Sequence, residues 1–150
     1  MATTKHWAAV IAWITAIFCF STDLFSGDNT SQVLAPILSA LIPSITGDDL
    51  QMINLGLRKL GHLSEYFVLA VLLMRALMAE IPAQRRVSRL FCALILATLY
   101  AASDEWHQSF VPSRSASVVD VMIDSCGAFC GTMWYERRRP KAAAQQHDAA

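Results

Sequence analysis

Apolar and polar positions alternate in long blocks, and the blocks divide the chain into four helical spans. The first, WAAVIAWITAIFCF (7–20), follows Lys5 and gives way to Ser21, Thr22 and Asp23. The second, Leu57–Ala79, ends before Pro82 and has the length that a hydrocarbon core of about 30 Å demands, close to 20 helical residues. The third, LFCALILATLYAAS (90–103), is too short alone, so its helix is expected to continue through Asp104–Phe110. The fourth, Val118–Tyr135, reaches the needed length only with Asp120 and Asp124 inside its first turns. The predicted spans are 7–24, 57–79, 88–110 and 118–135 within one membrane domain, 1–136, followed by a basic tail, 137–150, with nothing to pack and expected to be disordered.

Between the first two spans, SQVLAPILSALIPSI is apolar but interrupted by Pro36 and Pro43, which remove backbone donors. One or two short interfacial helices are expected there. GDDLQMINLGL (47–57) restarts a helix, with Asp48 or Asp49 suited to its N-cap. No internal repeat is visible, which argues against a transporter built from inverted repeats.

Composition strengthens this reading. Hydrophobic residues make up 55% of the chain and charged residues 16%, against about 25% charged in soluble domains, so an all-α integral membrane protein is the fold class. The first span lacks an A-x-A-like cleavage site, and Phe18 before Cys19 is too bulky for a lipoprotein cleavage box, so it is read as a retained helix. Net charge is zero and offers no basis for nucleic-acid binding, but the distribution of charge is uneven. Lys5, Arg85, Arg86, Arg89, Arg137, Arg138, Arg139 and Lys141 all fall on one side of a four-span arrangement, and only Arg58, Lys59 and Arg114 fall on the other, with Asp23, Asp28, Asp48 and Asp49. Cytoplasmic loops are enriched in Lys and Arg, so both termini are expected inside, with the protein a multi-pass component of the cell inner membrane. The four cysteines lie in apolar runs and read as packing residues without disulfides.

The polar residues inside the spans then stand out. Arg58, His62, Glu65 and Tyr66 recur at intervals of three and four and share one helical face. Asp104, Glu105 and Gln108 close the third span, and Asp120 and Asp124 open the fourth, on a face that continues through Gly127 and Gly131. With alternating span directions, all of these fall at the same depth. A charge facing lipid costs at least about 2.5–3.5 kcal/mol, so they are expected to face one another in a polar pocket at the outer interface. The glycine spacing allows close helix approach, whether within the chain or in a helix–helix oligomer. Arg114, beyond the Pro112 turn, is expected to fold back toward Glu105, Asp120 or Glu65.

The blocks RKLGHLSEY and DEWHQSFVPSRSASVVDVMIDSCGAFCG resemble the VanZ-like family of small membrane proteins, named for a teicoplanin (glycopeptide) resistance protein. The matching positions, within residues 55–131, are Arg58, Lys59, His62, Tyr66, Asp104, Glu105, Gln108, Phe110, Pro112, Arg114, Asp120, Gly127 and Gly131. Ser113 stands where the family often has Gly, and Asp124 where it often has Asn. The resemblance implies a role in the bacterial cell envelope.

The pocket's chemistry suggests binding or modification of an envelope lipid head group or a cell-wall precursor. Glu105, His62 and Asp104 are the candidate acid–base residues, and Arg58, Lys59, Glu65, Tyr66, Gln108, Arg114, Asp120 and Asp124 the candidate binding residues. A metal-assisted version would draw on His62, Glu65, Asp104 and Glu105, but no two-histidine spacing appears, so neither a metal site nor a cofactor is expected. Alternatively, the network is non-catalytic and only locks the bundle or shields a surface target. An ion-coupled transporter would need polar groups nearer the midplane.

Overall fold

In the computed structural model the described residues, 2–22, 27–82, 85–112, 114 and 116–138, form helices and turns with no strand. The helices are α1 (Ala2–Phe20), α2 (Gly27–Leu41), α3 (Gly47–Glu80), α4 (Arg86–Gln108) and α5 (Val118–Arg138). Residues 23–26, Ser113 and the tail from 139 onward lie outside the described residues, so the end of the first span, the Ser113 turn and the expected disorder of the tail are not addressed.

The longest element, α3, begins at a capping box. Thr46 Oγ1 accepts the Asp49 amide at 3.2 Å, while Asp49 Oδ2 accepts the Thr46 amide at 3.0 Å. Thr46, rather than Asp48 or Asp49, is therefore the N-cap, and both aspartates lie in the first turn where they complement the helix dipole. The hydrogen bond from the Thr46 hydroxyl, with help from the Thr46 amide, holds the Asp49 carboxyl below its ordinary value. From this cap the helix runs for 34 residues, about 51 Å at 1.5 Å per residue, so the segment 47–57 and the second span are one continuous element. It stops at Ile81, whose extended backbone is the conformation favoured before Pro82.

A single helix, α2, occupies the connector in spite of Pro36 within it, and it ends at Leu41, ahead of Pro43. Asn54 Nδ2 donates to Ser31 Oγ at 2.6 Å and ties α2 to the overhanging first turns of α3. At the other end, α4 stops at Gln108, short of Phe110, and α5 continues past Tyr135 to Arg138. Two helices, α3 and α4, are long and apolar enough to cross a membrane.

Helix directions follow from the contacts. Trp13 Nε1 donates to the Glu65 carbonyl at 2.9 Å and Trp7 Nε1 to Glu80 Oε1 at 3.4 Å, so α1 and α3 are antiparallel. Contacts of α3 with α5 advance together along both chains, from Lys59 with Asp120 to Phe67 with Gly131, which makes the two parallel. A Cβ on Gly127 would collide with the Leu63 carbonyl, and one on Gly131 with the Phe67 carbonyl. Absence of side chains at these two positions lets the backbones touch, and α3 alone covers the stripe. Within the chain, both glycines thus pack against the α3 backbone.

Small residues also line α4, where Ala93, Ala97 and Ala101 are buried at four-residue spacing while Phe91, Ile95 and Leu99 point outward. On α4 the inner side thus carries small and polar side chains and the outer side large apolar ones. Arg89, near the start of α4, is among the interior residues, its Nη1 donating to the Ile81 carbonyl at 3.2 Å, and Arg86 Nε pairs with Glu136 at 2.6 Å to join α4 to the end of α5. Sequence reasoning had counted both arginines only as loop charge.

Candidate functional site

Helical periodicity places Arg58, His62, Glu65 and Tyr66 on the inner side of α3, at the end of the bundle where α1 and α4 finish and α5 begins. Four interactions join them to the facing helices. Lys59 Nζ lies 3.0 Å from Asp120 Oδ1 and Arg58 Nη2 lies 3.7 Å from Asp120 Oδ2, so one carboxylate holds two bases. One turn deeper, His62 Nδ1 lies 3.1 Å from Asp124 Oδ1, with Asp124 fully buried. Arg58 Nη2 also reaches Gln108 Oε1 at 3.4 Å.

A second polar chain runs behind this face. Asp104 Oδ2 accepts Ser21 Oγ at 2.8 Å and Gln108 Nε2 at 3.1 Å, linking the end of α1 to α4. Glu105 Oε2 accepts the Ser117 amide at 2.8 Å, which anchors the connection into α5. Asp104 Oδ1, Glu105 Oε1 and the Tyr66 hydroxyl are buried with no hydrogen-bond partner among the described residues. An unpaired buried polar atom carries a penalty of about 1–3 kcal/mol.

Arg114 is positioned by backbone. Its Nη2 donates to the Phe20 carbonyl at 2.7 Å and the Thr22 carbonyl at 3.3 Å, groups exposed where α1 ends and where a cation is favoured by the helix dipole. Arg114 thus reaches the end of α1, while Glu65 and Glu105, two of the acids expected near it, lie close enough to act on its charge. Burial, and then the nearby Arg58 charge, lowers the Arg114 pKa from its ordinary value. Two guanidinium groups thus stand near one another, partly stripped of water.

A cavity of about 270 Å³ opens at this point, with Arg58, His62, Glu65 and Arg114 in its lining. Of the candidate residues, these four meet at the cavity, while Lys59, Asp104, Glu105, Gln108, Asp120 and Asp124 form the network around it. Tyr66 lies behind the wall and is fully buried. The cavity is also lined by Ser21, Thr30, Asn54 and Gly61, which sequence reasoning missed. A signal existed for Asn54, because 54, 58, 61 and 65 continue one helical stripe, but Ser21, just past the end of α1, and Thr30, on α2, have no spacing to betray them.

A family model described as VanZ/LLP1 matches residues 6–139. No curated protein and no solved structure matches the chain. The family match takes in α2, α3, α4 and α5 and all but the first turn of α1, well beyond the 55–131 region that carries the motif resemblance, so the chain is a membrane protein that belongs to the VanZ-like family.

Proposed function

We propose that this chain is a four-span inner-membrane protein, with both termini cytoplasmic, whose cavity faces outward and binds the anionic head group of an envelope lipid or cell-wall precursor, thereby affecting glycopeptide susceptibility. The observation that carries the reading is the convergence of Arg58 and Arg114 on one cavity. A phosphate accepts charge-assisted hydrogen bonds from such a pair of forks, and Arg is the side chain suited to that geometry. His62 and Glu65 sit in the same lining as an acid–base pair for any step at the bound group.

The four-span arrangement is supported by the outer surface. Ile11 and Phe18 on α1, and Val119, Met122, Phe129 and Trp134 on α5, are exposed large apolar side chains, as are Phe91, Ile95 and Leu99 on α4. At 19 and 21 residues, α1 and α5 are about 28 and 32 Å long, matching a hydrocarbon core of about 30 Å. α3 exceeds that thickness by about 20 Å, which suits an overhang bearing Asp48 and Asp49 on the outer side.

A second reading is favoured by the cross-helix pairs Lys59–Asp120 and His62–Asp124, each of which joins α3 to α5 and would lock the bundle without any ligand. The deciding experiment compares lipids, cell-wall precursors and glycopeptide susceptibility in cells producing wild-type protein or the double variant Arg58→Gln with Arg114→Gln, at equal levels of folded protein. The head-group reading expects the variant to match cells lacking the protein. A variant with the full wild-type lipid profile and susceptibility would refute it and leave the locking role. Reporter fusions at Ala150 and near Asn29 check the orientation, and an externally active reporter at Ala150 would overturn it.

A further inference from the structure

A ring nitrogen of His62, a carboxylate oxygen of Glu105 and one of Asp120 lie within 4.8 Å of one another, and all three residues are buried. They come from α3, α4 and α5 respectively, so the triangle exists only in the folded bundle. We propose that these three side chains form a binding site for a divalent first-row metal ion, zinc or manganese, at the inner wall of the cavity.

Several features beyond the clustering of acids point to a cation. Glu105 enters the triangle with Oε2 bound to the Ser117 amide and Oε1 buried without a partner among the described residues. Glu105 is only 4% exposed, so water does not readily supply the missing donor. His62 is already oriented as metal-binding histidines are: its Nδ1 faces Asp124 Oδ1 at 3.1 Å, and a proton held there leaves the lone pair on Nε2. Asp124 thus acts as a positioning residue for the imidazole.

Charge leads to the same place. Glu65, Asp104, Glu105, Asp120 and Asp124 are five acids against the three fixed bases Arg58, Lys59 and Arg114, an excess of two negative charges that one divalent ion balances. Of the two bases on Asp120, Arg58 stands 3.7 Å away, and Lys59, at 3.0 Å, has a side chain 47% exposed on a flexible stem that can swing outward when an ion takes its place. One imidazole with two carboxylates suits zinc or manganese better than calcium or magnesium, which favour all-oxygen shells. Three protein ligands leave a coordination position open. Because His62 also lines the cavity, that position would meet a bound phosphate; this last link rests on the head-group reading above, whereas the ion site does not.

The test uses full-length protein in detergent micelles, with any affinity tag removed, stripped by chelator and dialysed, and contains no added lipid. Zn²⁺ is titrated by calorimetry and Mn²⁺ binding is followed by the loss of free-ion paramagnetic resonance signal. The expected result is one saturable ion per chain. Glu105→Gln should weaken binding at least tenfold, and Asp124→Asn should weaken it about 10–100-fold by releasing the imidazole. His107→Gln, outside the site, should leave it unchanged. Should Glu105→Gln not yield folded protein, Glu105→Asp, which keeps the charge but withdraws it from the triangle, is expected to weaken binding in the same assay. Absence of saturable binding up to millimolar ion, or equal affinity in wild type and the Glu105 variant, overturns the proposal. Either result would leave head-group binding by Arg58 and Arg114 standing, and failure of that reading would leave the ion site standing.

Discussion

Replacing Gly127 with Ala tests one of the two places where the backbones of α5 and α3 touch. A Cβ at this position would penetrate the Leu63 carbonyl, and its next contacts, at 3.0 and 3.1 Å, are also backbone atoms of Leu63. Backbone cannot rotate aside as a side chain can, so α5 must move away from α3. Overpacking of this kind costs about 1–3 kcal/mol, and a rigid obstacle puts it near the upper figure. Gain in helix propensity from Gly to Ala offsets about 1 kcal/mol, leaving a net loss of about 2 kcal/mol. Gly56 provides the control, because a Cβ there meets nothing within 4 Å, so Gly56→Ala should stabilise by up to about 1 kcal/mol. Adding Gly131→Ala to Gly127→Ala should cost less than the sum of the two, since one separation of α3 and α5 relieves both collisions. Reversible unfolding in mixed detergent micelles measures all four proteins. A Gly127→Ala variant as stable as wild type would show that α5 does not cross α3 at Leu63.

Tyr66→Phe removes a buried hydroxyl that has no partner among the described residues, so stability should be unchanged or rise by about 1 kcal/mol in the same unfolding assay, and a loss of stability would reveal a bond to the hydroxyl. Ser21→Ala takes one of two donors from the buried Asp104 carboxylate and should cost about 1–3 kcal/mol, whereas no change would refute the link between α1 and α4. Thr46→Ala breaks the capping box of α3 and should cost about 1 kcal/mol at neutral pH. Because the folded Asp49 carboxyl titrates below its ordinary value of 3.8, its contribution is fully present above that value and is lost as pH falls through the depressed one. Wild type should therefore lose stability on acidification in that window more than the Thr46→Ala variant does, and parallel acid profiles for the two would refute the coupling.

The site was legible in the sequence wherever one helix carried the pattern. Arg58, His62 and Tyr66 announce their common face by intervals of four, and Asp120, Asp124, Gly127 and Gly131 do so on α5 by intervals of four, three and four. The structure brings those two stripes together through Lys59–Asp120, His62–Asp124 and the two glycines. Partners lying across elements were not legible. The Phe20 and Thr22 carbonyls that receive Arg114 are backbone atoms present in every residue, and only the position of a helix end makes them available. The cap of α3 was misplaced by a few residues because Asp48, Asp49 and Thr46 are all competent cap residues, and the choice depends on which one leaves helical geometry first. The triangle of His62, Glu105 and Asp120 was hidden for a further reason: its members are separated by 43 and 15 positions, so no spacing rule applies to them.

α5 shows why average hydropathy understates such a helix. Its buried side carries Asp120, Asp124, Gly127, Gly131, Thr132 and Glu136, every one of which lowers the mean, and the helix does not meet the threshold that α3 and α4 pass. In the four-span arrangement proposed above, lipid would meet only the outward side, which carries Val119, Met122, Phe129 and Trp134. The polar side is compensated by neighbours: Lys59 and Arg58 for Asp120, His62 for Asp124, Arg86 for Glu136, and the bare backbone of α3 for the two glycines. The cost of burying a charge is thus set by the company that the bundle provides rather than by the composition of the helix alone. The same logic explains the order of residues along α5, in which the carboxylates come first, at the level of Arg58 and His62, and the glycines follow, where α3 has turned apolar and only close packing remains to hold the helices together.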